Sequence, residues 1–210
     1  MRKKILLFVL TFFLLLPYCK KAIPGKTFDN LPLISDSPFQ ELIYEDQTFI
    51  LKNRSGTFKI IPLAKYSITA KVVSTENYYS GWSASLSPVD LALVWGKLAE
   101  NKYKKGIKFS QRGRWYYFHY EAGYPIDKNY IIKHSSNNHI VPADLNIRLA
   151  LKEIKKGDIV EISGMLIRID GTTKKGNVFW KSSLGRDDSG GGSCELIYAE
   201  TIRINKKLFR

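Results

Sequence analysis

The sequence predicts a single β-rich α+β domain, a partly closed antiparallel sheet or small barrel with two inserted helices. Three observations predict it. From Thr48 onward, short β-prone runs recur between turn signals. Two stretches carry helical spacing behind recognisable start signals. The long run Asp158–Asp170 has a glycine, Gly164, at its middle, where glycine marks a bulge or the tight bend of a barrel.

Thr48–Lys52 and Thr57–Ile61 flank Asn53-Arg54-Ser55-Gly56, the composition of a hairpin turn. Tyr66–Val73 alternates: Tyr66, Ile68, Ala70 and Val72 face one way, and Ser67, Thr69 and Lys71 the other. Ser87-Pro88-Val89-Asp90 reads as a helix start, with Ser87 as cap, Pro88 in the first turn and Asp90 facing the positive end. Leu91, Val94, Trp95 and Leu98 then follow at helical intervals. Arg114–Glu121 is an aromatic strand. A second helix runs from near Pro142 to before Gly157, with Ile147, Leu151 and Ile154 as its buried stripe. Lys152, Lys155 and Lys156 suit the negative end of that helix. Val178–Leu184 and Glu195–Ile204 complete the β structure, and the basic tail 206–210 is expected to fray. An OB-like barrel is the fold-level analogue, which by itself carries no function.

The chain has 210 residues, 44% of them hydrophobic and 25% charged, which excludes a disordered protein. Two cysteines exclude a disulfide-stapled scaffold. Arg2, Lys3 and Lys4 precede an uncharged run of twelve residues, Ile5 to Leu16. Twelve residues are too few to span a bilayer, which takes about 20, and suit the core of a secretory signal. Leu16-Pro17-Tyr18-Cys19 closes that run. These four residues resemble the lipobox of bacterial lipoproteins, although Tyr18 stands where that family prefers a small residue. The resemblance implies that Cys19 becomes the first mature residue and carries the lipid. The absence of aspartate after it, where Lys20 stands, points to the outer rather than the inner membrane. A plain signal peptide with an incidental cysteine is the alternative. In that case Cys19 and Cys194 could pair in an oxidising compartment.

On the lipoprotein reading, residues 1–18 are the signal, 19–45 a lipidated tether rich in proline and polar residues, and 46–205 the domain. Three basic residues leave with the signal. The mature chain then keeps 30 basic residues against 19 acidic, or +11.

Four constellations are candidates for function. His134 and His139, with His119 and Asp144 to complete a set, have metal-ligating residue types. Their spacing of five is not that of a metal-binding helix. Asn137 and Asn138 between them read as a hydrogen-bonded loop, and no metal or cofactor is expected. Cys194, Ser183 or Ser193 paired with His139 would be the parts of a nucleophilic site, and His139 with Cys194 is the first pair to test. No nucleophile elbow of the form G-x-S-x-G supports that chemistry. Arg186, Asp187 and Asp188 form a charged turn.

The last constellation is the tract from Lys97 to Tyr120. It holds seven basic residues to one acid up to Arg114, then Trp115, Tyr116, Tyr117, Phe118 and Tyr120. Lys102, Lys104, Lys105, Arg112, Arg114 and Trp115 are its candidate binding residues. Cations interleaved with stacking aromatics are the ingredients of polyanion binding. The export signal argues against nucleic acid and for anionic lipid or an envelope polyanion.

Several short stretches resemble one group of uncharacterised bacterial exported proteins. They are Gly81-Trp82, Leu86–Leu93, Trp95-Gly96, Gly113–Tyr117, Asn137–His139, Pro142-Ala143, Trp180, Ser182–Leu184, Arg186 and Gly192–Glu195. The resemblance implies a domain spanning residues 66–204 and says nothing about chemistry. The expected function is therefore that of a lipid-anchored cell-envelope protein with a binding or structural role. An envelope hydrolase using His139 is the alternative.

Overall fold

The computed structural model describes residues 20–185 and 194–210. The chain opens with three short strands, β1 (Lys26–Thr27), β2 (Phe39–Leu42) and β3 (Phe49–Asn53). The long β4 (Gly56–Asn77) follows, then α1 (Trp82–Leu86) and β5 (Val89–Val94). Two 3₁₀ turns lead into a hairpin of β6 (Ile107–Arg112) and β7 (Trp115–Tyr120). Next come α2 (Lys128–Lys133), β8 (Ser135–Pro142) and α3 (Leu145–Leu151). β9 (Ile159–Thr173), β10 (Gly176–Lys181), β11 (Glu195–Ile204) and β12 (Lys207–Phe209) end the chain.

Ten strands form one sheet in the order β1-β12-β11-β8-β5-β4-β9-β10, with β2 and β3 also paired to β4. β6 and β7 form a second, two-stranded sheet. The β-rich α+β class is as expected. The large sheet is mixed rather than antiparallel, because β11 runs parallel to β8. β9 pairs with both β4 and β11, which carries the sheet partway round on itself without making a barrel.

The alternation over Tyr66–Val73 is real. Tyr66, Ile68, Ala70 and Val72 are buried in the main core, with Val89, Leu91 and Leu93 of β5 and Ile147, Ala150 and Leu151 of α3. The helix beginning near Pro142 is α3. Asp144 caps it, accepting a hydrogen bond from Ile147 N–H at 2.8 Å.

The helix expected from Ser87 is instead β5, every residue of which is buried. A strand covered on both faces reads as a continuous apolar run, and such a run carries helical spacing as readily as strand spacing. Of the two helices expected, one is therefore present, while α1 and α2 are additional. The Asn137-Asn138 loop is likewise a strand, the central β8. The basic tail does not fray. β12 pairs with β11, and Phe209 is 1% exposed in the core.

The segment expected as a tether lies against the body. β1 pairs with β12, β2 pairs with β4, and Ile34 packs on the core. The mid-strand glycine does mark an irregularity. Opposite Gly164, β11 shifts register between Ala199 and Thr201.

Candidate functional site

Asp90 of β5 and His139 of β8 are cross-strand partners, so their side chains leave the sheet on the same face. Both are buried, Asp90 at 0% and His139 at 3% exposure. His139 Nδ1 lies 2.9 Å from Asp90 Oδ2, at ion-pair distance but out of line for a hydrogen bond. The other carboxylate oxygen, Oδ1, accepts from Arg114 Nη1 at 2.5 Å. A buried carboxylate is costly unless paired and hydrogen-bonded, and here it sits between two bases.

Arg114 reaches Asp90 because of the hairpin turn. Gly113 and Arg114 both have positive φ, 62° and 75°. That is the left-handed pair of the tight turn whose twist matches two antiparallel strands. The conformation is uncommon for arginine and costs about 1–3 kcal/mol. It turns the side chain under the hairpin, where Nη2 donates to Ser87 O at 2.9 Å. The guanidinium lies 3.6 Å from the Tyr78 ring centroid and 5.2 Å from that of Trp180. Arg114 N–H donates to the Tyr78 hydroxyl at 2.8 Å, and Asn137 Nδ2 donates to Arg114 O at 2.9 Å. Burial, and then the nearby Asp90 charge, pushes the Tyr78 phenol up to about 12, so it stays neutral.

The rest of the hairpin's inner face continues the network. Gln111 Nε2 donates to Asn137 Oδ1 at 2.7 Å. The Tyr116 hydroxyl lies 3.2 Å from Ser135 Oγ, and burial holds its pKa up. Phe109 and Phe118 pack with Val94, Leu98 and Ile131 in a satellite core. The hairpin is thus fastened to β5 and β8 by polar bonds at its tip and by apolar packing towards its base.

Its outer face is built by alternation. Cross-strand pairs place Lys108 beside His119, Ser110 beside Tyr117 and Arg112 beside Trp115, all exposed. Trp115 is 45% and Tyr117 54% exposed. The six candidate binding residues therefore separate. Arg112 and Trp115 form one pair at the tip, while Lys104 and Lys105 are exposed just before β6. Lys102 is exposed but bridged to Glu100 at 2.8 Å, which raises its pKa. Arg114 is not a surface cation, since its charge is turned inward onto Asp90.

The proposed metal set does not come together. His134 ends α2 just before β8 and stacks on Tyr130 with centroids 3.7 Å apart, whereas His139 lies within β8. His119 faces outward and Asp144 caps α3. Among the described residues no group of three or more His, Cys, Asp or Glu could hold a metal ion.

His139 lies on β8, and Cys194 immediately precedes the neighbouring β11. β11 begins with Glu195 opposite Asn138, which sets Cys194 beside Asn137, two residues short of His139. Asn137 Nδ2 approaches the Cys194 thiol at 3.9 Å, while the His139 ring packs against Trp180 at 4.8 Å. Ser183 is buried at the other side of this junction, its N–H bonded to Cys194 O at 3.0 Å. Cys19, Arg186, Asp187, Asp188 and Ser193 lie outside the described residues.

Asp90 is the residue that sequence reasoning missed. Its signal is a lone carboxylate inside the apolar run Val89–Trp95, which local composition matches equally well to the charge of a helix start. Comparison of the chain with protein-family models, curated proteins and solved structures finds no match in any of the three.

Proposed function

We propose that this is a lipid-anchored protein of the cell envelope that acts by binding, with the outer face of the β6–β7 hairpin as its ligand surface. The ligand class is an envelope polyanion. The observation that supports this most is the exposed Arg112–Trp115 pair at the hairpin tip, with Tyr117 and Lys108 further along the same face. A guanidinium beside an indole offers a charge for phosphate or carboxylate and a flat apolar surface for stacking. Arg114, next to Trp115 in the same turn, gives its own charge to Asp90 and fixes the tip from below. A pre-positioned surface binds with less loss of side-chain and loop freedom.

The anchor rests on the short apolar run ending at Cys19. Among the described residues no helix is long and apolar enough to cross a membrane. Expression with radiolabelled palmitate checks the anchor: wild type is expected to take up label and Cys19→Ser to take up none. Equal labelling of the two would remove it.

The binding reading predicts salt dependence. Affinity of the intact protein for a single-stranded oligonucleotide, used as a polyanion probe, should fall by about 0.7 log units per log unit of salt for each contact. Reversal of Lys102, Lys104 and Lys105 to Glu should flatten that slope while leaving the melting temperature unchanged, because all three are exposed. Of the three, Lys102 should contribute least, being already paired with Glu100.

A further inference from the structure

The chain leaves Cys19 and is captured by the body almost at once. Ile23 N–H donates to Asn146 Oδ1 at 2.8 Å, and Asn146 Nδ2 returns a bond to Ile23 O at 2.9 Å. The same amide group reaches Arg210 O at 3.2 Å. Gly25 N–H then bonds Leu208 O and Phe28 N–H bonds Lys206 O, each at 2.8 Å, on either side of the β1–β12 pairing. A single asparagine at the start of α3 therefore clasps Ile23 and Arg210 together. Ile23 is four chain steps from Cys19, a reach of at most about 14 Å when fully extended. An acyl group on Cys19 would hold the β1–β12 edge at the bilayer surface, with no long spacer between them.

The two segments of that edge carry charge of one sign, while Glu153 and Asp158 line the hollow beside Lys206 and Lys207. Segment 20–28 carries Lys20, Lys21 and Lys26 and no acid, and segment 205–210 carries Lys206, Lys207 and Arg210 and no acid. The side chains of all six are exposed. Asp144, at the start of the adjoining helix, has its carboxylate engaged by Ile147 N–H. Two large apolar side chains flank the clasp, Ile23 at 74% and Leu145 at 55% exposure. Cations around exposed aliphatics, next to a lipid attachment point, are the composition of a surface that rests on anionic headgroups.

We propose that the β1–β12 edge, clasped by Asn146, is the membrane-facing surface of the protein and docks on the anionic headgroups of the bilayer that holds Cys19. The inference rests on the Cys19 anchor of the proposed function. It assigns the hairpin a different direction. α3 packs on the core side of β5 and β8 with Leu91 and Ile140, whereas the hairpin packs on the opposite side with Asp90, Val94 and Asn137. The docked protein therefore keeps its hairpin face clear of its own membrane.

Lysine acylation footprinting tests this with the mature protein purified from membranes, compared in neutral detergent, in phosphatidylcholine vesicles and in vesicles containing phosphatidylglycerol. In the anionic vesicles, modification of Lys20, Lys21, Lys26, Lys206 and Lys207 should fall at least about fivefold, the factor expected for one cation held at a charged surface. Lys104, Lys105 and Lys108 on the hairpin side should react as in detergent. Uniform reactivity, or protection centred on the hairpin lysines, would overturn the assignment. The mass of the N-terminal peptide reports separately on acylation of Cys19. If that peptide is unmodified, the anchor reading fails. The edge is then judged by the same footprint on phosphatidylglycerol vesicles added to the protein, where absence of protection overturns it as well.

Discussion

Replacing Asp90 with alanine is expected to cost about 3–5 kcal/mol of folding stability, as removal of one partner from a buried ion pair does. The carboxylate is wholly buried and meets Arg114 and His139 from two sides. Without it, the Arg114 guanidinium keeps Ser87 O and the Tyr78 ring but loses the only carboxylate that the described residues bring to it. The left-handed turn at Gly113-Arg114 then loses the interaction that offsets its strain. The effect should centre on the hairpin. Hydrogen exchange of β6 and β7 should accelerate more than that of β9, which is held by β4 and β11. Equilibrium unfolding in urea measures the total. A loss below about 1 kcal/mol would mean that Asp90 does not pin the hairpin, since even an exposed pair reaches that size.

Gly164→Val is expected to cost at least about 1–3 kcal/mol through forced backbone displacement. A Cβ built on Gly164 would stand 1.9 Å from the carbonyl oxygen of Tyr198 and 3.1 Å from Glu200 N. Both obstacles are backbone of β11 at its register shift, so no side-chain rotation relieves them. Either β9 and β11 separate locally or the bulge is lost. A thermal melt compares the variant with wild type. Gly157→Ala is a useful contrast, because a Cβ there meets nothing within 4 Å and only the backbone angle, φ 99°, resists it. Equal melting of Gly164→Val and wild type would show that the two strands can part at no cost.

How much could be read from the residues alone depended on how each strand is covered. β4 was legible over Tyr66–Val73 because one of its faces lies in the core and the other is more open, which writes period two into the sequence. β5 lies between β4 and β8 with every residue buried, so no alternation distinguishes it from a helix. β8 misled in the opposite sense. Ser135, Ser136, Asn137, Asn138 and His139 look like a solvated turn, yet all are buried. Much of their polarity is satisfied within the sheet and by the hairpin, as where Asn138 Nδ2 donates to Leu91 O and Ser136 Oγ. Contacts between segments far apart in sequence decide such a strand, and local composition does not carry them. The same holds for the clasp. Asn146 and Ile23 are 123 residues apart, and nothing in residues 20–28 alone marks them for pairing with the other end of the chain.

The candidate site divides along the same line. The basic aromatic tract was legible as composition, and its outer face follows from simple alternation once the hairpin is known. The inward turn of Arg114 was not, because it depends on a carboxylate 24 residues away.

The salt dependence of polyanion binding at the hairpin tip tests the central claim most directly. Wild type, Arg112→Glu and Trp115→Ala are titrated with a mixed-sequence single-stranded oligonucleotide across a salt series, with melting curves confirming that all three are folded. The account predicts that Arg112→Glu lowers the log–log slope by about 0.7 or more, the share of one phosphate contact. It predicts that Trp115→Ala weakens binding by about 1–3 kcal/mol at every salt concentration and leaves the slope unchanged, because stacking releases no counterions. Identical curves for the three proteins, or no binding by wild type at low salt, would contradict it.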